Sequence, residues 1–594
     1  MRNPFADSEA GHRKKKIFLG FCLLFIITIL LHITFLENKF IDGEDLTHIV
    51  QNPLIRNIGM QGFFHDLKGY YFYQYPLFFL TYFWGMIFSV WELNHIGFHF
   101  ISFLFHAICT GLLFLLLIRI TGKTGSAFLA ALFFGVHPLH CETVNWISRQ
   151  DMMLTVLFGL FYLYLGMVRH LFTRILSILF LLVSVCISPV GILFLPAKFL
   201  LHSEPEDYLW KPLWAELILP LVVWLVVWIP KVSLVSPQNP LTVTPKAVFW
   251  LLRGMIMPWK VHFMLPVLAK GSPLLGIIPV ILILGIFWLA IRIKHQAWGL
   301  IGIGLLSFYL LHLYSGRFNG GYAYPSLIMI ALAIGIGGSR LKITTLPWKI
   351  GISSVLILVF GFWGWLAYSR NMAWRNTKYL LNDALTASPS DGWLLSMLGH
   401  YEASFLERKE TDNIFQRVNQ ESPSILYLKA RAYHLLLDTG KSFRLYNELF
   451  RKYPAMKDNK YCLFDYAVLH VQTGRPKTAK RLLRKIVASD PYFIYAWHDL
   501  GTLFLREKNG EKGIKFLQKV LEIAPAYRPT LENMAYYFTK KGMTEKAATY
   551  IVTALHSTSC HDTQRFYREW LKALKEKKPF KYASLQWADL KPPG

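Results

Sequence analysis

The run IFLGFCLLFIITILLHITF (17–35) holds no Asp, Glu, Lys or Arg over nineteen residues, and it follows His12-Arg13-Lys14-Lys15-Lys16 directly. At about 1.5 Å per helical residue it crosses a hydrocarbon layer of about 30 Å. It is long, lacks a small-residue cleavage site and is followed by acidic and aromatic residues. These features point to an uncleaved first span with its amino end in the cytoplasm, not a signal peptide. Further apolar runs lie near 96–118, 126–140, 152–168, 175–186, 190–202, 212–229, 275–293, 297–314, 323–338 and 350–368. The expectation is an all-α polytopic membrane domain of about eleven spans.

With 54% hydrophobic and 16% aromatic residues, the chain does not read as an ordinary soluble protein. Its net charge of +27 comes from Lys and Arg flanking the spans and from a basic soluble portion. No recognition motif accompanies that charge, so no nucleic-acid partner is expected. The six cysteines include no CxxC and no close pair, which gives neither a disulfide framework nor a zinc site.

Arg119, Lys123, Arg169, Arg174, Arg292, Lys294, Arg340, Lys342 and Lys349 fall in loops expected inside, whereas the short outside turns hold only Arg317. Everything after residue 368 is then expected outside. Residues 75–91 and 246–258 read as interfacial segments, and if only one of them crosses, the tail moves to the cytoplasm.

Beyond residue 370 the chain becomes soluble and periodic. Pro389, Pro423, Pro491 and Pro525 lie on a 34-residue grid, with Pro454 three residues short of the missing tooth. Gly399, Ala467, Gly501 and Ala535 recur in register, as do Ala479, Gly513 and Ala547. YAWHDLGTLF (495–504) carries the Trp-x-x-Leu-Gly-x-x-Phe pattern, so a tetratricopeptide-repeat α-solenoid is expected. Such arrays bind peptides or proteins in a groove. The expected domains are 1–16 (basic N-terminus), 17–368 (membrane domain, with 36–95 as the first extracytoplasmic loop), 369–570 (repeats) and 571–594 (basic tail).

The stretch GVHPLHCETVNWISRQDMM (135–153) sits between two apolar runs and carries His137, His140, Glu142, Arg149 and Asp151. An unpaired charge in mid-membrane costs about 2.5–3.5 kcal/mol, so this set has to face water, pair, or hold a ligand. One reading is a polar turn at headgroup level with Arg149 paired to Asp151 or Glu142. A metal bound by His137, His140 and Glu142 is another. That spacing is weak, because it lacks the HExxH form and contains a proline. A second acidic cluster, Asp42, Glu44 and Asp45, lies in the first loop and is expected on the same membrane face. Carboxylates, an arginine and histidines converging there suit proton removal from a hydroxyl while cations hold a departing phosphate.

At these residues the chain resembles a family. GEDLTHIVQNP, HPLHCETVNWISRQD, HIGFHFISFLFH (95–106) and RNMAWRN (370–376) look like motifs of the transmembrane glycosyltransferases with tetratricopeptide tails. These belong to the GT-C superfamily, and their animal relatives are O-mannosyltransferases of the secretory lumen. The resemblance implies a polyprenyl-phosphate sugar donor and a protein or glycan acceptor. It puts Asp45 or its neighbour Glu44 in the place of the acceptor-activating acid. Glu142, Arg149 and Asp151 then belong to the donor-side motif, with His137 or His140 beside the phosphate.

The chain departs from the family at Glu44-Asp45, where two aspartates are usual, at Gln74-Tyr75-Pro76-Leu77, and at the loosened RFNGGYAYP (317–325). The lost cations leave a different donor, a relocated phosphate contact such as Arg317, or an inactive membrane scaffold whose repeats recruit partners. A transporter would show repeated halves, and none is visible. The remaining expectations are contact with membrane lipids, a protein partner on the repeat groove, and a bacterial inner membrane with the repeats in the periplasm. No cofactor is assigned.

Overall fold

Inside a bilayer a backbone has to satisfy its own hydrogen bonds, and every regular element among the described residues is a helix. The computed structural model describes residues 4–41, 45–50, 52, 55, 78–168, 170–201, 213–232, 251–255, 277–293, 295–315, 320–342, 345–507, 509–558, 561–578 and 580. They group into two units. One comprises the chain to Ile41, the described part of 66–80 and Asn94–Ala387. The other comprises Ser388 onward with Thr81–Leu93 and the described part of 42–65.

In the first unit, four helices are long and apolar enough to span a membrane: Gly11–His32, His95–Thr121, Gly320–Arg340 and Leu346–Arg375. A fifth candidate is Thr124–Val136 with Pro138–Asn145, bent by 45°. Five shorter apolar helices of 10–17 described residues accompany them in this unit, among them Leu171–Ile187, Pro189–Leu201 and Gln296–Leu311. The protein is therefore multi-pass. Against the expectation of about eleven spans, four or five helices among the described residues pass as full-length spans, and Leu213–Val232 and Gln296–Ser315 are twenty-residue helices besides. The interfacial expectation at 75–91 falls on the helix Phe78–Trp91, and only 251–255 of 246–258 is described, also as helix.

His95–Thr121 lies at the centre. Asn94 caps it by accepting the Ile96 N–H at 3.0 Å, and Gly122 ends it in the left-handed region at φ +68°. Gly320–Arg340 is buried over 89% of its apolar window and His95–Thr121 over 67%, against 17% for the first and last spans. The first and last spans therefore present most of their surface outward, as Phe18, Leu19, Ile357 and Leu358 do.

The second unit consists of helix pairs. First helices begin at Lys460, Ile494 and Arg528 and second helices at Pro476, Gly510 and Thr544, each series advancing by 34 residues. The pairs Gly392–Ser404/Arg408–Gln416 and Pro423–Leu435/Thr439–Lys452 precede them. Three-residue turns join the partners. The middle residue is left-handed in four of these turns, at Leu406, Leu437, Gly474 and Gly542. The Pro423 pair starts three residues ahead of the grid, and the 3-10 turn Pro454–Asp458 absorbs the slip before Lys460.

Small residues stand where helices cross. A Cβ on Gly501 would come within 2.7 Å of Leu517 and 3.0 Å of the Gly513 carbonyl, so a larger residue there forces the pair apart. Gly501→Val is expected to cost about 1–3 kcal/mol, read as a lowered unfolding midpoint of the full chain in detergent. His400 supplies a pH test. Its Nε2 is shielded from water without a hydrogen-bond partner, and burial, with Arg431 nearby, pulls its pKa to about 3. The unfolded imidazole takes up a proton more readily than the folded one, so stability is lost as the pH falls from 6.5 toward 3. His400→Gln should flatten that slope in thermal melts across the same window.

Candidate functional site

Pro138 organises the polar stretch. The residue before a proline is driven to extended backbone, and His137 adopts φ −69° and ψ 125°, which ends Thr124–Val136. The His137 Nδ1 accepts the Leu139 N–H at 3.2 Å and starts the 3-10 turn Pro138–His140. A short helix, Cys141–Asn145, follows. Extended Trp146 and the turn Ile147–Arg149 then lead into the helix Gln150–Leu165. The leading helix of thirteen residues rises about 20 Å, less than the hydrocarbon thickness.

This broken segment has three chemically distinct sides. On the first, Asn145 binds three ways: its Nδ2 donates to the Cys141 carbonyl (2.7 Å) and to Asn371 Oδ1 (2.6 Å), and its Oδ1 accepts from Asn38 Nδ2 (2.7 Å). Asn371 in turn donates to the Leu31 carbonyl at 2.8 Å and to His32 Nδ1 at 3.1 Å.

On the second side, His137 and His140 turn into a packed aromatic interior. The His140 ring centroid lies 4.4 Å from Phe134, 4.8 Å from Tyr324 and 5.1 Å from His106. His137 lies 4.6 Å from Trp363, and His32 lies 5.3 Å from His106. His106 is fully engaged: it donates from Nε2 to the Gly135 carbonyl (3.2 Å) and accepts from the Tyr324 hydroxyl (2.9 Å). The carbonyl fixes that tautomer, since it can only accept. Nε2 of His32 has no hydrogen-bond partner among the described residues.

The third side carries Glu142 and Arg149, both half-buried. Glu142 Oε1 accepts the Gly321 N–H at 3.0 Å, and Thr143 Oγ1 donates to the Gly321 carbonyl at 3.1 Å. The Arg149 guanidinium stands over the Trp146 ring at 4.7 Å and the Tyr322 ring at 5.7 Å. The two ring faces hold the half-buried guanidinium by cation–π attraction. Of the residues singled out in the sequence, Glu142 and Arg149 thus meet at the turn Gly320–Tyr322. His137 and His140 meet each other elsewhere. Asp151 heads its helix, its Oδ1 accepting the Met152 N–H at 2.8 Å. Asp45 is fully buried within the other unit. Glu44 and Arg317 lie outside the described residues.

Sequence reading gave no role to His32, His106, Tyr324, Asn38, Asn145 or Asn371. His106 and Asn371 sit in the motifs HIGFHFISFLFH and RNMAWRN, which was the available signal. It also passed over a second polar centre. Lys198 and Glu216, both nearly inaccessible, form an ion pair; Tyr162 donates to Glu216 Oε1 at 2.7 Å, and Arg174 lies 3.9 Å from Oε2. Among the described residues no group of three or more His, Cys, Asp or Glu is arranged to hold a metal ion.

No family model matches the chain, and no curated protein matches it. Among solved structures, ArnT from Cupriavidus metallidurans bound to undecaprenyl phosphate is 16% identical with a TM-score of 0.34, covering 75% of this chain and 80% of that one. ArnT from the same organism in the apo state is 16% identical with a TM-score of 0.33 at the same coverage. The P58(IPK) TPR domain is 11% identical with a TM-score of 0.20, covering 68% of this chain and 93% of that one. Superpositions this loose carry no argument. The chain's own residues define an all-helical, multi-pass membrane protein that also carries helix-pair repeats.

Glu142 tethers the Gly320–Tyr322 turn through a charge-assisted bond of about 1.5–3 kcal/mol. Glu142→Ala is expected to speed amide exchange at Gly321 by about tenfold or more. Glu142→Gln keeps an acceptor and should change it far less. Hydrogen–deuterium exchange of the full chain reads both.

Proposed function

We propose that the chain is a GT-C-type membrane glycosyltransferase that moves a sugar from a polyprenyl-phosphate carrier to a hydroxyl of a protein or glycan acceptor. The observation that supports this best is the junction of Glu142 and Arg149 at Gly321–Tyr322, on a helix broken inside the membrane domain. Ionisable residues within a membrane domain are costly and mark functional sites by default.

In this reading the acceptor oxygen attacks the anomeric carbon, the bond from that carbon to the phosphate oxygen breaks, and a carboxylate takes the hydroxyl proton, the role that the family resemblance gives to Asp45. Arg149 balances the charge growing on the leaving polyprenyl phosphate. Glu142 and Asp151 act as positioning residues, the first on the Gly320–Tyr322 turn and the second on its own helix start. The phosphate role falls on Arg149 more than on His137 or His140, whose rings are occupied in the aromatic interior. The repeats, read as a tetratricopeptide module, dock the acceptor or a partner. The chain sits in a bacterial inner membrane with that module in the periplasm.

Reconstituted protein given a panel of polyprenyl-phosphate sugars should release polyprenyl phosphate, measured by mass spectrometry. Asp45→Asn and Arg149→Ala should each lower transfer on the order of 10²–10³-fold. A folded Asp45→Asn protein at full rate removes the base assigned here. A wild-type chain that consumes none of the donors removes the enzyme.

A further inference from the structure

The helix Pro476–Ser489 carries Lys477, Lys480, Arg481, Arg484 and Lys485 and no carboxylate in fourteen residues. The five fall at i, i+3, i+4, i+7 and i+8, which is one helix face, while Ala479, Leu483, Ile486 and Val487 are buried on the other. Two of the five are paired, Lys480 with Glu507 at 2.6 Å and Lys485 with Asp458 at 2.8 Å. Lys477, Arg481 and Arg484 make no ion pair among the described residues, although like charges at this spacing repel. The crowding extends to the next repeat: Lys480, Lys512 and Arg484 stand 4.8, 5.3 and 5.7 Å from the centroid of the Phe504 ring.

We propose that this basic face docks on anionic lipid headgroups. The chain is anchored in a membrane, so such a surface is always within its reach. The five basic residues run about 12 Å along the face, three of them outside any ion pair among the described residues. The helix has no Trp or Tyr, the aromatic anchors that protein partners engage. Charge without an apolar anchor is the pattern that headgroup attraction uses, each basic residue near an anionic surface favouring contact by about fivefold. Three unpaired cations give a preference on the order of a hundredfold, which falls as salt rises.

The test is amine labelling of the full chain in vesicles, with a water-soluble reagent and mass-spectrometric readout. Pure phosphatidylcholine is compared with equal parts phosphatidylcholine and phosphatidylglycerol. Lys477 should label on the order of tenfold more slowly in the anionic vesicles, with recovery at high salt. Lys409, on a helix of balanced charge, should not change. Arg481→Gln/Arg484→Gln, which suits a helix and leaves the buried side intact, should abolish the protection. Equal labelling in both vesicles overturns the proposal. So does protection that arises only when polyglutamate is added to phosphatidylcholine vesicles, which assigns the face to an acidic polypeptide.

Discussion

The membrane unit depends on one amide. Asn145 is the point where the broken segment, the chain after the first span and the end of the last span are held together, through Asn38 and Asn371. Outside water each of these bonds is strong and each unmade partner costly, so the arrangement is close to all-or-none. Removing one side chain strands donors and acceptors on three segments at once. That is how a helix interrupted by proline stays in one conformation, with its three sides facing three different environments.

Those environments divide the labour. The aromatic interior around His140 fixes the orientation of the break. Four imidazoles there come from three helical segments, and His32 Nε2 goes without a hydrogen bond among the described residues. Such a group costs about 1–3 kcal/mol, so ring packing against Phe134, Tyr324 and Trp363 has to offset it. The half-buried side with Glu142 and Arg149 carries the charge and keeps contact with solvent-accessible space. Rigidity on one side and accessible charge on the other is the combination a preorganised site needs.

Much of this was legible in the sequence. A 34-residue period survives directly as helix starts at Lys460, Ile494 and Arg528, because it reflects local crossings such as Gly501 against Leu517. The polar knot at 137–151 was visible as ionisable residues between apolar runs. What could not be read was which of them would face one another. Asn145 meets Asn38 and Asn371 across 107 and 226 positions, and nothing in the periodicity encodes such convergence. Hydropathy also measures length poorly here. It treats the 126–140 run as one span, whereas extended His137 stops the helix at Val136. The early start at Pro423 was hidden for a similar reason, since a proline marks a helix beginning without saying which turn it occupies.

The Lys198–Glu216–Tyr162 centre has a consequence for biogenesis. Lys198 emerges from the ribosome eighteen residues before Glu216, and the short helix that bears it, Phe194–Leu201, cannot span the bilayer by itself. A lone buried lysine is costly on insertion, and a lone buried glutamate likewise. The two segments therefore enter lipid most cheaply as a single hairpin, already neutralised, against a Tyr162 that is in place before either arrives. The order of synthesis and the location of the charges agree: the helix bearing the Tyr162 donor is made first, the cation second and the anion last.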